Sequence, residues 1–456
     1  MKGVAIIVIL RIERFHHSIR LPTAVMPNET LTIPLELNRR PNGIFQSLRY
    51  AYPRNAGFAR VNGERRDVVD IAHQAAINPA SAKDAATARA RVPLTAIEPG
   101  QWRALAQRAI EPNGYYLPGW ELAVSATAHG RTGAQALPAF DGSSTRLIGL
   151  MPVVSLWQAW NIPLPALVSA HPYGTLCSPL IDRDCSAQAA TRLLQQACQA
   201  GAHALILRDV ALDGAAMASL KQALGRSGLK PRVLSSYIRA SLDATQDGER
   251  LLHEALGTKK LKELRRQRHR LEEHGPVVFD VARRPDEIGP ALETFLQLEA
   301  SGWKGKRGTA LMQDVGDATF IRRAVPALAE TAQCEIITLR TGSTAVAAGI
   351  VLRHQDRAFF FKLGIDEHFA KYSPGVQLTL DLTRHLCADP AIASADSTAS
   401  ADHPMINPIW RGRFAIGDVL IPLRRNDPVV ALIHAALIAR GVARETARRA
   451  IHLLRK

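Results

Sequence analysis

The feature that most constrains the fold lies between residues 335 and 364, where three apolar, β-branched segments follow one another almost without a break. They read EIITLR, TAVAAGIVLR and RAFFFKLG, and only residues 341–343 and 354–356 separate them. Connections this short reverse the chain direction, so the pattern predicts an antiparallel meander of three strands. The third strand leads into the turn residues YSPG, and VQLTLDLTRHL then predicts a helix over 376–386.

Upstream of this meander, predicted strands and helices alternate. Strands are predicted at RLIGLMPVV, ALILRDV and RVLSSYIR, and helices near 102–109, 187–200, 214–225 and 249–274. This mixture predicts an α/β (α+β) protein with mostly antiparallel central sheets flanked by helices. The length of 456 residues exceeds what one hydrophobic core usually supports, so two or three domains are expected.

The two ends of the chain depart from this pattern. Residues 1–95 show little sustained periodicity, which predicts a poorly ordered N-terminal extension. Its apolar run at 3–10 is too short to span a bilayer and is interpreted as a strand or as an artefact of start-codon choice, with Met26 as the alternative start. Residues 426–456 predict a basic helical tail that either docks on the domain or lies on an anionic membrane surface.

Charge and cysteine content bear on the partners and the compartment. The net charge of +16 favours anionic partners such as nucleotides, nucleic acid or acidic lipid, or else reflects an arginine-rich solvated surface. The five cysteines are scattered and lack histidines at metal-ligand spacing, so neither a disulfide framework nor a metal site is predicted. We therefore expect a cytoplasmic protein with at most peripheral membrane contact.

The loop before the helix at 376–386 has the chemistry of a phosphate site. The first amides of a helix have no intrahelical partner and point outward, where they bind anions. Gly375 permits close approach to a ligand, Ser373 can cap the helix, and lysines lie nearby. Taken alone, the loop fits an ordinary helix cap better. The predicted donor-binding residues are Lys362, Tyr372, Ser373, Pro374 and Gly375.

Several segments together resemble a known family. They are QWRALAQRAIEPN at 101–113, LEASGWKGKRGTAL at 298–311, FKLGIDEHFAKYSPGVQL at 361–378, and Asp396 followed by DHP and Trp410. Their order and spacing resemble the acetyltransferase domain of the BioF2-like family. That family includes proteins named after the cellulose-biosynthesis protein CelD and is related to the FemAB-type aminoacyltransferases. The resemblance covers roughly residues 95–425.

This resemblance implies a GNAT fold that occurs twice, as tandem halves at 96–248 and 249–425, with the basic tail at 426–456. It also implies an acyl donor, acetyl-CoA or another acyl-CoA, held in the C-terminal half where the central strand splays from its neighbour. One departure matters: the usual GNAT signature, a Gln or Arg followed by spaced glycines, is replaced here by YSPG.

Three carboxylates are candidates for the chemistry that this implies. Direct attack of an amine on a thioester needs orientation, a proton acceptor and stabilisation of the oxyanion, but no protein nucleophile. Asp366 and Glu367 follow the central strand, and Asp396 ends a later apolar segment, so these three are the predicted catalytic residues. The alternative for an acidic residue at a strand end is a turn or cap role.

Three further residues are candidates for substrate binding. Trp303 and Lys304 lie in a glycine-rich segment, where an indole can cover an acceptor and an ammonium can meet a phosphate or carboxylate. His403 in the DHP segment is the third. The competing interpretation is a tryptophan packed between the halves beside a solvated lysine.

Three functions follow, in decreasing order of support. The first is an acyl-CoA-dependent acyltransferase with an amine or hydroxyl acceptor, where the family name points to polysaccharide, cellulose or cell-envelope biosynthesis. The second is a FemAB-like transferase using aminoacyl-tRNA, for which the basic helix at 249–274 is the candidate tRNA surface. The third is a non-catalytic accessory protein of an exopolysaccharide machine. A small-molecule or saccharide acceptor is the expected partner, and no integral membrane segment is predicted.

Overall fold

The computed structural model describes residues 90–142 and 145–454. The predicted disorder of the N-terminal extension concerns a segment that lies, up to residue 89, outside the described residues.

Strands of the described part form one mixed sheet. They are β1 (Val92–Pro93), β2 (Gln135–Phe140), β3 (Leu147–Ser155), β4 (Ala166–Ser169), β5 (Leu180–Ile181), β6 (Ala204–Ala211), β7 (Arg232–Asp243), β8 (Val277–Ala282), β9 (Cys334–Thr341), β10 (Thr344–His354), β11 (Arg357–Ile365), β12 (Ser394–Asp396) and β13 (Gly412–Pro422). Their order in the sheet is β1-β2-β3-β4-β6-β13-β7-β12-β11-β10-β9-β8, with β5 beside β3. The predicted mixed α/β class is confirmed, with one continuous sheet in place of separate ones.

Helices cover both faces of this sheet. They are α1 (Pro99–Gln107), α2 (Pro118–Thr127), α3 (Leu156–Trp160), α4 (Ser186–Gln199), α5 (Ala215–Arg226), α6 (Gly248–Glu272), α7 (Pro285–Ser301), α8 (Trp303–Lys306), α9 (Val315–Ala329), α10 (Pro374–Ala388) and α11 (Pro428–Leu454). Short 3-10 helices lie at Leu94–Ala96, Gly114–Tyr116, Arg183–Cys185, Leu311–Gln313 and Glu367–Tyr372.

The order of elements repeats along the chain. One strand and then helices, α1 and α2 in the first half and α7 to α9 in the second, precede an antiparallel meander, β2-β3-β4 in the first half and β9-β10-β11 in the second. A crossover helix, α4 or α10, then leads to a strand that pairs in parallel with the last meander strand, β6 with β4 and β12 with β11. The chain is thus built from two halves of the same topology, although identical residues reveal no internal repeat.

The last strand of each half pairs with a strand of the other half. β7 ends the first half but pairs with β12 of the second, while β13 ends the second half and pairs with β6 of the first. β7 and β13 also pair with each other over most of their length. The sequence patterns predict no strand over 412–422, where the structure has β13 between β6 and β7 of the first half.

Both faces of the second meander are covered. On one face, Ile336, Ile350 and Phe359 pack in a core that includes α7 and α9 residues. On the other, Val351 and Phe360 belong to a core with the leucines of α10. Burial on both faces explains why these strands read as almost continuous apolar runs.

The predicted basic helix at 249–274 contains a break. Gly257, with φ 69° and ψ 166°, interrupts α6 and divides it into two helical segments. Leu261, Leu264 and Leu271 of the second segment are buried, and the Leu264 carbonyl accepts a hydrogen bond from Gln377 of α10 at 2.8 Å. Most of its cations therefore face solvent.

Candidate functional site

The sheet opens at the end of the second meander. β11 and β12 pair only from Arg357 to Phe359 on β11. The register between β10 and β11 shifts at this level, since Ile350 pairs with Lys362 and Val351 with Phe360, which leaves Phe361 as an extra residue. Such a bulge bends and twists its strand and ends regular pairing. The remainder of β11 therefore diverges from the segment that follows β12.

The start of α10 faces this region with unpaired amides. Pro374 at the first helical position has no N–H, and Gln377 N–H donates to the Ser373 carbonyl at 3.0 Å. Within the described part of the chain, the Gly375 and Val376 amides between them have no hydrogen-bond partner. These are the two donors that the helix start offers to an anion.

The predicted cap by the Ser373 side chain is wrong. Ser373 does precede α10, but its backbone is left-handed, at φ 53° and ψ 53°, and its hydroxyl makes no capping hydrogen bond. A capping side chain normally projects from an extended backbone, which places its oxygen beside the second or third helical amide. The amides of the first turn are thus left to other partners.

Gly375 and Tyr372 have packing roles in the loop. A Cβ atom on Gly375 would lie 3.0 Å from Leu363 Cδ2 and 3.3 Å from Ile365 Cγ2, so glycine allows α10 to lie close against β11. The hydroxyl of the buried Tyr372 lies 2.9 Å from His274 Nε2, and Lys371 Nζ lies 4.8 Å from its ring centroid. The loop is therefore tied to both β11 and the end of α6.

Lys362 and Lys304 meet on a carboxylate that the sequence did not single out. Glu299 of α7 is buried, and its Oε1 atom lies 3.0 Å from Lys362 Nζ and 3.4 Å from Lys304 Nζ. Its Oε2 atom accepts the Leu311 amide at 3.0 Å. The structure does not bring Lys362 to the 372–375 loop, because Lys362 points to the α7 face of the sheet and α10 covers the other face.

Lys304 also reaches the diverging strand. Its Nζ atom donates to the Leu363 carbonyl of β11 at 2.9 Å. Burial lowers the pKa of Lys304, and the positive charge of Lys362 lowers it further, while Glu299 opposes both effects. Two ammonium groups and one carboxylate thus leave an excess positive charge beside the opening.

His403 lies near this cluster. Its pKa is lowered, first by burial and then by the charge of Lys304. Its Nδ1 atom accepts from the amides of Met405 and Ile406 at 3.3 and 3.4 Å. The neutral ring consequently carries its proton on Nε2, which makes it a hydrogen-bond donor toward a ligand.

Trp303 stays at the surface. Its side chain is 49% exposed, and the Arg307 guanidinium lies 5.0 Å from its ring centroid. The structure therefore supports neither a tryptophan packed between the halves nor a solvated Lys304.

The predicted catalytic carboxylates are all engaged. Asp366 caps the 3-10 helix at 367–372, accepting the His368 amide at 2.9 Å, and it contacts His368 Nδ1 at 2.7 Å. Glu367 pairs with Lys306 at 2.6 Å, which lowers the pKa of Glu367. Neither lies beside Asp396, so the three do not form one constellation.

Asp396 forms a buried ion pair with Arg239 of β7, at the end of β12. Arg239 also donates to the Thr175 carbonyl at 2.6 Å, so the pair joins both halves. Beside it, the Thr398 hydroxyl donates to the Phe360 carbonyl at 2.7 Å, directly before the bulge. Tyr115 is fully buried next to this pair, and its hydroxyl makes no hydrogen bond of ordinary geometry within the described residues.

The sequence contained a signal for Glu299 but not for Arg239. Ile288, Leu292, Phe295 and Glu299 follow the spacing of one helix face, and a carboxylate that continues an apolar stripe requires a buried partner. Arg239 pairs with a residue 157 positions away through a strand exchanged between halves, which no local pattern indicates.

Comparison with protein families gives one match. Residues 258–403 match the family model described as an acetyltransferase (GNAT) domain. The match begins directly after the break at Gly257, contains β8 to β12 with α10, and ends at His403. The C-terminal half therefore contains a GNAT-like domain, and the match spans less than half of the chain.

Comparison with solved structures gives matches of low sequence identity. The match with the crystal structure of FemX covers 74% of this chain and 98% of the FemX chain, with 13% identity and a TM-score of 0.49. L-PGS from Bacillus licheniformis covers 75% and 97%, with 13% identity and a TM-score of 0.45. A tandem GNAT protein from the clavulanic acid biosynthesis pathway covers 74% and 98%, with 12% identity and a TM-score of 0.35. No curated protein matches the sequence.

Proposed function

We propose that the protein is an acyltransferase that moves an acyl group from acyl-CoA, with acetyl-CoA as the first candidate, to an amine or hydroxyl acceptor. The observation that carries this proposal is the opening beside β11, which begins at the Phe361 bulge and has the unpaired amides of Gly375 and Val376 at its far end. The GNAT match at 258–403 contains all of these elements.

The residues present fit an acyl-CoA. Its phosphates would be held by the two amides at the start of α10, with Lys371 as the nearest cation of the loop. The donor supplies an activated acyl group and a thiolate leaving group. The chain's own task is to hold the donor extended along the diverging end of β11, so that the acyl group lies at a fixed place.

Distance along the strand separates the two ends of this site. Residues 361 to 366 span roughly 16 Å of extended chain. With the phosphates at the start of α10, the reacting carbonyl is expected near the bulge at Phe361. Asp366 and Glu367 then lie at the phosphate end, whereas Asp396 lies at the reacting end. We therefore assign Asp396 with Arg239 to positioning of the reacting end, and this placement argues against Asp366 and Glu367 as proton acceptors.

The acceptor would approach from the side of α8. Lys304, His403 and the exposed Trp303 border that side, and the two lysines on Glu299 provide excess positive charge. We further propose that the chain is BioF2-like, with CelD-type proteins as relatives, and that its acceptor is a saccharide in envelope or polysaccharide biosynthesis. Both proposals rest on the segments at 298–311 and 361–378.

The donor site is tested by calorimetric titration with acetyl-CoA and CoA. Val376→Pro removes one of the two free amides at a position where a helix tolerates proline, and Val376→Ala is the matched control that keeps the amide. We expect saturable binding to the wild type, about tenfold or greater weakening in Val376→Pro, and little change in Val376→Ala. A substitution at Gly375 is less informative because it would push against Leu363. Absence of binding to the wild type would overturn the CoA assignment.

A second candidate, an aminoacyl-tRNA-dependent transferase, is favoured by one observation. The second segment of α6 presents exposed cations next to α10, namely Lys259, Lys260, Lys262, Arg265 and Arg266. The two candidates are separated by thermal shift with tRNA and with CoA. Stabilisation by tRNA that Lys262→Glu/Arg266→Glu abolishes, without any response to CoA, would replace the first candidate by the second.

A further inference from the structure

The C-terminal helix α11 changes character halfway along its length. Val430, Ile433 and Leu437 are buried against the first half, in a core that contains Leu156 and Leu420. Their spacing of three and four residues defines one face of the helix.

The docked face ends in arginines. The next two positions of this stripe after Leu437 are Arg440 and Arg444. The Arg440 guanidinium lies 4.7 Å from the centroid of Trp160, and the described side chains beyond it, at 441–447 and 449–450, are exposed. A stripe that turns from apolar to cationic cannot continue into the core, so the helix projects from the body of the protein.

A second apolar face lies on another side of α11. Leu432, Ile438 and Val442 are 54%, 51% and 62% exposed. On a helix of 3.6 residues per turn these three lie within about 120° of one another, and the docked stripe lies outside that sector. Trp157, on the short helix α3 against which α11 packs, is 56% exposed as well. Exposed apolar side chains of this size on a projecting helix indicate a surface that another body covers.

The net charge of this segment indicates which kind of partner covers the apolar face. Residues 438–456 carry six Lys or Arg against one Glu, a net charge of +5. Two copies of such a helix repel each other, and a nucleic acid would leave the apolar face without a partner. An amphipathic helix with an apolar face and a cationic face fits an anionic lipid bilayer, into whose headgroup region the apolar side chains insert. No helix among the described residues is long and apolar enough to cross a membrane.

We infer that α11 binds the surface of anionic membranes through the face opposite its docked stripe, with Leu432, Ile438 and Val442 inserted and the net positive charge of residues 438–456 attracted to the anionic headgroups. The first half of α11 anchors this element to the sheet through Val430, Ile433 and Leu437. Both predicted roles of the basic tail, docking and membrane contact, thus belong to different faces of one helix.

Vesicle cosedimentation of the full chain tests this inference. The vesicles are phosphatidylcholine alone and phosphatidylcholine with 30% phosphatidylglycerol, at low and high NaCl. We expect at least about tenfold stronger partitioning to the anionic vesicles, lost at high salt. Ile438→Asp/Val442→Asp should reduce binding about tenfold or more. The matched control, Val278→Asp/Val315→Asp, adds the same charge at exposed valines elsewhere and should bind like the wild type.

Three outcomes would overturn the inference. They are equal partitioning to both vesicle types, wild-type binding by Ile438→Asp/Val442→Asp, and a concentration-dependent dimer in sedimentation velocity that this variant dissociates while vesicle binding is absent. Thermal unfolding of the same variants, expected to match the wild type, verifies that they are folded; because it uses no acetyl-CoA, this test stays independent of the proposed donor site.

Discussion

The two halves of the sheet open at the same point of their topology, but the chain fills the two openings differently. In the first half, the sixteen residues 170–185 connect β4 to α4, whereas in the second the eight residues 366–373 connect β11 to α10. The longer connection lies inside its opening. Its carbonyls accept hydrogen bonds from buried groups, Trp120 Nε1 on Pro172 at 2.6 Å, Asn113 Nδ2 on Ser178 at 2.8 Å and Arg239 Nη1 on Thr175 at 2.6 Å.

The buried carboxyl groups of the two halves also differ in their surroundings. Glu121 of α2, beside Tyr116 at the filled opening, has no hydrogen-bond partner among the described residues, and burial raises its pKa well above 4.5. Glu299 at the other opening is bracketed by two lysines. One half therefore holds a buried carboxyl group with a raised pKa in a closed core, and the other holds charges beside a divergent strand. The same topology serves as a scaffold in one copy and, under our proposal, as a binding site in the other.

The largest effect is expected at Glu299. Glu299→Gln leaves two partly buried ammonium groups without their carboxylate, and we expect a loss of about 3 to 5 kcal/mol in the free energy of unfolding. Glu293→Gln, on the same helix, breaks an exposed pair with Arg322 and should cost at most about 1 kcal/mol. Urea denaturation of both variants measures the contrast. Equal losses would show that the Glu299 cluster is no more than a surface ion pair.

Filling the first opening further should also be costly. A Cβ on Gly174 would lie 2.3 Å from Tyr115 Cδ1, so Gly174→Ala forces apart a buried ring and the connection that covers it. We expect a loss of about 2 to 3 kcal/mol. Gly225→Ala in α5, where no heavy atom lies within 4 Å, should instead stabilise the protein by up to about 1 kcal/mol. If Gly174→Ala leaves the free energy of unfolding unchanged, this opening has free space for an added methyl group.

The raised pKa of Glu121 in the first half should make the free energy of unfolding depend on pH. Because the folded-state pKa of Glu121 lies above its unfolded value, the folded protein holds a proton that the unfolded chain releases, and stability falls as the pH rises above about 4.5. Glu121→Met removes this pH dependence, so the free energy of unfolding of the variant relative to the wild type should be greater at pH 8 than at pH 5. Urea denaturation at both pH values gives the two differences. Parallel curves of the free energy of unfolding against pH for the wild type and Glu121→Met would contradict a raised pKa of Glu121 in the folded protein.

The smallest effect concerns the loop of the second half. Ser373→Gly relieves the left-handed backbone and should stabilise by about 0.5 kcal/mol. Ser373→Ala keeps that conformation and removes a hydroxyl that makes no cap bond, so it should be close to neutral. Thermal unfolding distinguishes the two. A clear loss of stability in Ser373→Ala would instead support the side-chain cap that the sequence predicted.

Local sequence patterns predicted the helices and strands that bury one or both of their faces. The meander β9-β10-β11, the helix α10 and the loop before it follow from apolar runs, short turns and a Pro-Gly pair. The predicted helix over 102–109 appears as α1, with Trp102 and Leu105 buried. Gly257 shows the limit of periodicity, since the leucine spacing of α6 continues across a residue whose backbone is not helical.

The sequence alone determined the mixed α/β class, the meander that ends in a glycine-containing loop, and the basic character of both α6 and α11. Only the tertiary structure decided that β7 and β13 exchange halves, that Lys304 and Lys362 share Glu299, and that Asp396 is paired with Arg239. The reason is physical: secondary structure follows from neighbours within a few positions. An ion pair between residues 63 or 157 positions apart exists only after the sheet has brought distant segments together.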